Sequence, residues 1–366
     1  MLTLSLIFFL SYFLIHFYVL TIGRFKAKQK KWNVTNTGKI NLHNLTVIVP
    51  FRNELIRIEP LLNSIKESTQ LPKKILFIDD HSNDGTKELI KEVLVGFPVS
   101  IVKLDADVFG KKEAIQFGVQ KAETSCILTL DADTEFDALY FSNLTTLDKR
   151  ELLILPVHFA CTSFLSKLVH LDVVLLNDQN YGIQGVSKPI VASGANLLFD
   201  KMSFLKYFAL KEHNKILSGD DMFLLQNFLK NKCSVQVIQS SAVSVRTKAL
   251  KGFSPILQQR VRWIKKMQAL KNFIAKSWGL YEVMSQFFFV LLIAFSILIG
   301  NYAMGITLFV FKVFLDCFFY LKTLFSLFRF KTIPLLIAYQ FFFPFFVLLV
   351  GFSTLFANIT WKDRTL

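Results

Sequence analysis

The chain reads as an open α/β sheet domain set between apolar segments long enough to cross a bilayer. Three observations predict this. Of 366 residues, 52% are hydrophobic, and mean hydropathy is +0.43, above the range of a water-soluble domain. Charge is concentrated in the middle: Thr21–Leu280 holds 36 of the 42 Lys and Arg and 24 of the 27 Asp and Glu, while Met1–Leu20 has no Asp, Glu, Lys or Arg. That middle, roughly 260 residues, alternates β-branched runs with helical spacing, the pattern of parallel crossover units. A disordered chain is excluded.

From the start, Leu2–Ile22 is a continuous apolar run followed by Arg24, Lys26, Lys28, Lys30 and Lys31. About 20 residues suffice to span a bilayer core. A secretory signal would carry its charge before the run and a small-residue cleavage site after it, so an uncleaved anchor over residues 1–23 and a basic linker over 24–44 are expected. At the other end, no charge occurs from Val283 to Phe311 or from Ile333 to Thr360. This predicts about three further membrane helices in 281–358: the first two meet near Gly300-Asn301, the last is interrupted by Pro334 and Pro344, and a tail follows at 359–366. Lys312 and Asp316 lie four apart and are expected to pair inside the bilayer, as a structural ion pair in preference to a substrate path. The basic clusters flank the middle, now joined by Lys265, Lys266, Lys271 and Lys276, with Arg329 and Lys331 agreeing. The positive-inside rule therefore puts the middle in the cytoplasm, at the inner membrane. Three crossings would place Trp361-Lys362-Asp363-Arg364 outside, against that rule, unless one segment lies in the interface. Cys126, Cys161, Cys233 and Cys317 show no metal or disulfide spacing, and the histidines form no spaced cluster.

Within 45–250 the expected elements are a strand at Leu45–Val49, a helix at Leu61–Ser68, a strand at Lys74–Asp79, a helix from Thr86, a strand at Val99–Lys103, a helix at Lys112–Ala122 and a strand at Cys126–Leu130. Polar clusters close three of these strands: Phe51-Arg52-Asn53-Glu54, Asp79-Asp80-His81-Ser82 and Asp131-Ala132-Asp133. Ligands of open α/β sheets sit beyond the carboxyl ends of the strands, so the clusters predict one shared site. There is no GxGxxG and no GxxxxGK, which excludes a dinucleotide fingerprint and a P-loop. Asp131 and Asp133 read either as a surface turn or, with the apolar run before them, as ligands of a hard divalent cation; the second is preferred. Ser193-Gly194-Ala195-Asn196 reads equally as a turn or as a close backbone approach. Asp220-Asp221 reads as a helix cap or as a general base, with catalysis preferred. Residues 251–280 form a basic amphipathic stretch. Its Lys265, Lys266 and Lys271 are expected on anionic lipid, whereas Arg262 and Trp263 can grip a diphosphate and face a sugar ring.

In order, TVIVPFRNE (46–54), FIDDHSNDGT (77–86), GKKEAIQFG (110–118), LDAD (130–133), SGAN (193–196), GDD (219–221) and QRVRW (259–263) resemble the family 2 glycosyltransferases. The nearest likeness is the membrane-anchored branch with a QxxRW box, which includes the cellulose, hyaluronan and poly-N-acetylglucosamine synthases and the ceramide glucosyltransferases. The resemblance implies a GT-A fold and an inverting transfer from a nucleotide-sugar, a UDP-sugar being expected. By matching positions, it assigns Pro50, Glu54, Asp79, Asp80, Lys111 and Asp131 to the nucleotide and Asp131 and Asp133 to Mg²⁺ or Mn²⁺. Asp221 becomes the base, with Asp220 beside it in place of the family's usual Glu. Asn196, Gln259, Arg262 and Trp263 are assigned to the diphosphate and acceptor. Expected partners are the donor, a lipid or lipid-linked glycan acceptor and membrane lipids, with no nucleic acid. A single transfer is favoured because four spans are few for a secretion channel; a processive polysaccharide synthase and a non-catalytic membrane scaffold are the alternatives.

Overall fold

The computed structural model describes residues 2–29, 38–208, 220–269, 272–328, 332–356, 360–361 and 364–365. Lys30, Lys31, Lys271, His213, Gly219, Arg329, Lys331, Lys362 and Asp363 lie outside these, as do the side chains of Asp220 and Arg364. In chain order, α1 (Leu2–His16), a π-helical segment (Phe17–Gly23) and α2 (Arg24–Gln29) form one continuous rod. After it come β1 (Leu45–Phe51), α3 (Glu59–Glu67), β2 (Lys74–Asp79), α4 (Thr86–Val93), β3 (Val99–Lys103), α5 (Lys111–Lys121) and β4 (Cys126–Leu130). Then follow β5 (Thr134–Glu135), α6 (Tyr140–Leu144), β6 (Leu152–Ile154), β7 (Val157–Ala160), α7 (Phe164–Val186), β8 (Asn196–Asp200) and α8 (Lys201–Tyr207). Next are α9 (Asp220–Lys230), β9 (Val235–Val237), β10 (Val245–Lys248), α10 (Phe253–Ala269), α11 (Phe273–Leu298), α12 (Tyr302–Phe328) and α13 (Thr332–Phe356), and the two-residue strands β11 (Thr360–Trp361) and β12 (Arg364–Thr365) pair in the tail.

These elements make two compact units, one from Lys31–Ala160 and Val191–Lys248, the other from Met1–Lys30, Cys161–Ile190 and Ala249–Leu366. The division differs from the expected uninterrupted 45–250 domain, because α7 packs with the apolar helices.

In the first unit the described strands form a seven-stranded sheet ordered β3-β2-β1-β4-β8-β6-β9, with a smaller sheet β5-β10-β7. β3, β2, β1 and β4 run parallel, and β8 is antiparallel to both β4 and β6. β1 is buried along its whole length, as expected of a central parallel strand covered on both faces. α5 lies close on it: a Cβ on Gly118 would stand 2.8 Å from Ile48 Cγ2, so only glycine admits this approach. Leu61, Leu62 and Ile65 of α3, Ile90 of α4 and Tyr140, Phe141 and Leu144 of α6 complete the core. Ile190–Ala195 is irregular, with a turn at Gly194-Ala195, and the strand begins at Asn196.

In the second unit, four helical stretches among the described residues are long and apolar enough to cross a membrane: Leu2–Gln29, Phe273–Leu298, Tyr302–Leu321 and Ile333–Phe356. The break between the second and third falls at Gly300-Asn301 as expected. α13 is continuous through both prolines, contrary to the expected interruption. Pro334 sits in the first turn, where its missing N–H is not needed, and Pro344 lies inside a helix whose apolar neighbours support it.

The ion pair Lys312–Asp316 forms at 2.8 Å. Its partners reach across three helices: Tyr12 Oη donates to Asp316 at 2.7 Å, Lys312 donates to Tyr12 Oη at 3.1 Å, and Gln340 donates to Asp316. The pair therefore fastens α1, α12 and α13 together.

α7 was not anticipated. A capping box at Ser163 and Ser166 starts it. It crosses the N-terminal rod at Gly182 and Gly185, where a side chain would meet the backbone of Val19 and of Gly23 and Ala27; small residues are what let helix backbones approach this closely. Its buried polar residues are met by charge and hydrogen bonds: Asp178 takes Arg24 and Thr323, and Gln179 is bonded to Glu282, Tyr320 and Trp278.

Candidate active site

Register decides which loops meet. Phe51 pairs with Asp79, and Ile48 with Thr129, so the parallel strands β1, β2 and β4 end along one edge of the sheet. β8 runs the other way and starts there, Asn196 opposite Leu130. The three carboxylate-bearing clusters and the Ser193–Asn196 turn thus share an edge, the position the topology reserves for ligands.

Side-chain to backbone bonds stitch these loops. Asp80 N–H donates to Phe51 O at 2.9 Å, Asn53 N–H to Ser82 Oγ at 3.1 Å, and Asn83 N–H to Asn53 Oδ1 at 3.0 Å. Asp84 accepts from Leu55 N–H and from the Thr86 backbone and hydroxyl, while Thr86 Oγ1 accepts from Glu54 N–H. Asn53 and His81, the non-glycine residues that follow the β1 and β2 ends, have φ of 51° and 60°, conformations that cluster at functional sites. Asn53, His81, Ser82, Asn83, Asp84 and Thr86 were given no individual role from sequence. The signal was available in the Asn, Asp, Ser and Thr content of 79–86, which suits side-chain to backbone turns.

Pro50 is buried in β1 beside Ile78. Glu54 is buried and ion-paired to Arg57 at 2.7 Å. Asp79 Oδ1 accepts Ser82 N–H at 2.8 Å. Asp80 Oδ2 accepts Gly110 N–H at 3.0 Å, whereas its Oδ1 is buried without a hydrogen-bond partner among the described residues. Such an orphan acceptor awaits a donor. Lys111, which opens α5, places its ammonium on Asp131.

Thr134 fixes the turn at Asp131 by two bonds to its carbonyl, 3.2 Å from N–H and 2.7 Å from the hydroxyl. Asp133 is pushed up to about 6 by burial first and then by the negative charge of Asp131 and Glu54. A carboxylate pair crowded in this way, with one member already drawing a lysine ammonium, fits a hard divalent cation. Such an ion takes oxygen ligands and keeps positions open for a phosphate-bearing ligand. No group of three His, Cys, Asp or Glu capable of holding a metal occurs among the described residues, so the remaining ligands would come from water or substrate.

Asp221 is held by backbone amides, Gly194 N–H to Oδ2 at 3.1 Å and Met222 N–H to Oδ1 at 2.8 Å. This gives the Ser193–Asn196 turn a use: it aims the carboxylate at the first turn of α9. Asn196 itself is fully buried. Its amide oxygen accepts from Tyr140 Oη at 2.7 Å, and its nitrogen donates to Pro156 O at 2.9 Å and Val243 O at 3.1 Å. It braces the edge from behind, in contrast to the contact with diphosphate or acceptor expected from sequence.

Gln259, Arg262 and Trp263 lie on α10 in the other unit. There Arg260, which had no assigned role, is the buried charged residue of the box, paired with Asp172 at 2.6 Å and with its guanidinium carbon 4.3 Å from the Trp263 ring centroid.

An open sheet with this carboxylate edge, carried with apolar spanning helices, is the GT-A glycosyltransferase architecture. The fold of a mannosyltransferase from Pyrobaculum calidifontis, solved with GDP-Man and Mn²⁺, superposes with a TM-score of 0.56 over 97% of this chain and 98% of that one, at 15% identity. Residues 46–158 match the family model described as glycosyl transferase family 2. A 4,4'-diaponeurosporenoate glycosyltransferase of Staphylococcus aureus strain N315 is 34% identical over 102 residues, 28% of this chain and 27% of that protein. A poly-beta-1,6-N-acetyl-D-glucosamine synthase of Staphylococcus epidermidis is 27% identical over 135 residues, 36% and 32% of the two chains. The matched stretch thus spans about a third or less of the length of these curated relatives.

Proposed function

We propose that the protein is an inverting glycosyltransferase that moves a sugar from a nucleotide-sugar, a UDP-sugar by expectation, to a lipid or lipid-linked glycan at the cytoplasmic face of the membrane. The observation that carries this reading is the gathering of Asp79, Asp80, Lys111, Asp131, Asp133 and Asp221 on one sheet edge. Asp80, with its unsatisfied buried oxygen, receives an N–H of the nucleoside. Lys111 shifts from Asp131 to the phosphates when the donor enters. A Mg²⁺ or Mn²⁺ held by Asp131 and Asp133 supplies neutralising charge to the diphosphate.

Asp221 takes the proton of the acceptor hydroxyl as that oxygen attacks the anomeric carbon, and the bond to the nucleoside diphosphate breaks in line, which inverts the centre. Its two amide donors orient the carboxylate while leaving lone pairs for the hydroxyl. Gln259, Arg262 and Trp263 serve the diphosphate and acceptor. The Lys and Arg bias supports the cytoplasmic placement, and the four spans favour a single transfer over processive synthesis.

The test is nucleoside diphosphate release by the protein in lipid nanodiscs, over UDP- and GDP-sugars with Mg²⁺ or Mn²⁺ and lipid extract as acceptor. Sugar-dependent release that Asp221→Asn lowers on the order of 10³-fold is expected. Undiminished release in that variant refutes the assignment of the base.

A further inference from the structure

Arg260 occupies a place that the reading above leaves unused. It is 7% exposed, on the turn of α10 that ends in Trp263. One of its nitrogens is 2.6 Å from Asp172 Oδ2 and donates to Val169 O at 3.3 Å, both on α7, and its guanidinium carbon lies 4.3 Å from the Trp263 ring centroid. Asp172 is shared, since its Oδ1 accepts Tyr339 Oη of α13 at 3.2 Å. One carboxylate thus ties a membrane-spanning helix to an arginine whose guanidinium stands over an indole. Arginine suits this position because its planar fork can hold a carboxylate with its edge while its face covers an aromatic ring, which an ammonium cannot do.

We propose that Arg260 is a positioning residue for Trp263: anchored by Asp172 and Tyr339, it fixes the indole plane that the transfer step uses. The proposal rests on the glycosyltransferase reading for what Trp263 does, but the clamp itself stands on the geometry alone. Trp263 can turn about two side-chain bonds. A stacked cation on one face removes that freedom and leaves the other face preset. The cost of losing such placement falls on turnover and leaves donor affinity in place, because a misplaced group near the reacting atoms still permits binding. The pair is also sensitive to loss of Asp172, which would leave the buried Arg260 guanidinium without its carboxylate.

Two readouts test this in nanodisc-embedded full-length protein. In a background carrying Trp32→Phe, Trp278→Phe and Trp361→Phe, Trp263 is the sole indole, and its quenching by acrylamide reports how firmly the ring is held. Arg260→Gln and Asp172→Asn are each expected to raise quenching. Each should lower kcat on the order of tenfold to 10²-fold, with donor KM changed less than about twofold. The double variant should fall no further than the worse single, because the two residues act as one clamp. Arg260→Lys should restore the melting temperature without restoring kcat.

Unchanged Trp263 quenching in Arg260→Gln overturns the proposal, even if kcat falls, since Arg260 would then act by another route. A lowered melting temperature with kcat and quenching intact also overturns it and leaves a purely structural brace. If wild type transfers no sugar from any donor, the glycosyltransferase reading fails, and the quenching alone decides whether Arg260 holds Trp263.

Discussion

The carboxylates of the sheet edge and those of the apolar bundle differ in how far the fold completes them. In the bundle unit, Asp172 has Arg260 and Tyr339, Asp178 has Arg24 and Thr323, and Asp316 has Lys312, Tyr12 and Gln340. Each is satisfied within the chain. At the sheet edge Asp80 keeps a buried oxygen without a hydrogen-bond partner among the described residues, and Asp133 is crowded by Asp131 and Glu54. The difference separates architecture from chemistry: carboxylates completed by the fold hold helices together, and carboxylates left incomplete await a ligand.

That distinction can be broken in order of effect. The largest change is expected from Asp133→Ala, which should reduce transfer by about 10²-fold or more while leaving the melting temperature within about 1 °C; kinetics and thermal unfolding in the same nanodiscs check both. In the bundle the pattern should reverse. Asp316→Leu alone strands the Lys312 ammonium and should cost about 3–5 kcal/mol, whereas Asp316→Leu with Lys312→Leu should recover most of that loss, as read by unfolding in detergent. Equal losses in the single and double variants would contradict the assignment of this pair to architecture.

The smallest effect is a pH dependence. His158 on β7 is held down to about 4 by burial and by Arg246 on the paired strand β10. A histidine with a lowered folded value contributes stability above its unfolded value, near 6.5, and loses it as pH falls toward 4. Unfolding followed between pH 7 and 4 should show a decline of at most about 3 kcal/mol that His158→Gln flattens; a slope unchanged by the substitution counts against it.

How much of this was legible in the sequence depends on where each residue's partner lies. Strands such as Cys126–Leu130 and Lys74–Asp79 fell where the apolar runs put them, because a short buried strand is specified by its own side chains. The carboxylate edge was legible too, since strand ends and acidic clusters coincide along the chain. α7 was not. Its buried residues include Asp178, Gln179 and Asn180, which periodicity reads as surface, and the groups that make burial tolerable are distant: Arg24 is 154 residues from Asp178. Arg260 was passed over for the same reason, its partner Asp172 being on that unread helix. Asn196 was assigned to the diphosphate and acceptor by resemblance, and only the fold shows its amide already used by Tyr140, Pro156 and Val243.

The central claim is that the edge is incomplete without a cation and a nucleotide. Calorimetric titration of UDP and GDP into the nanodisc-embedded protein, with and without Mn²⁺, tests it most directly. Affinity for one nucleotide should rise at least about tenfold with Mn²⁺ in wild type and be indifferent to the ion in Asp133→Ala. Equal, metal-independent affinity in both proteins would contradict the account.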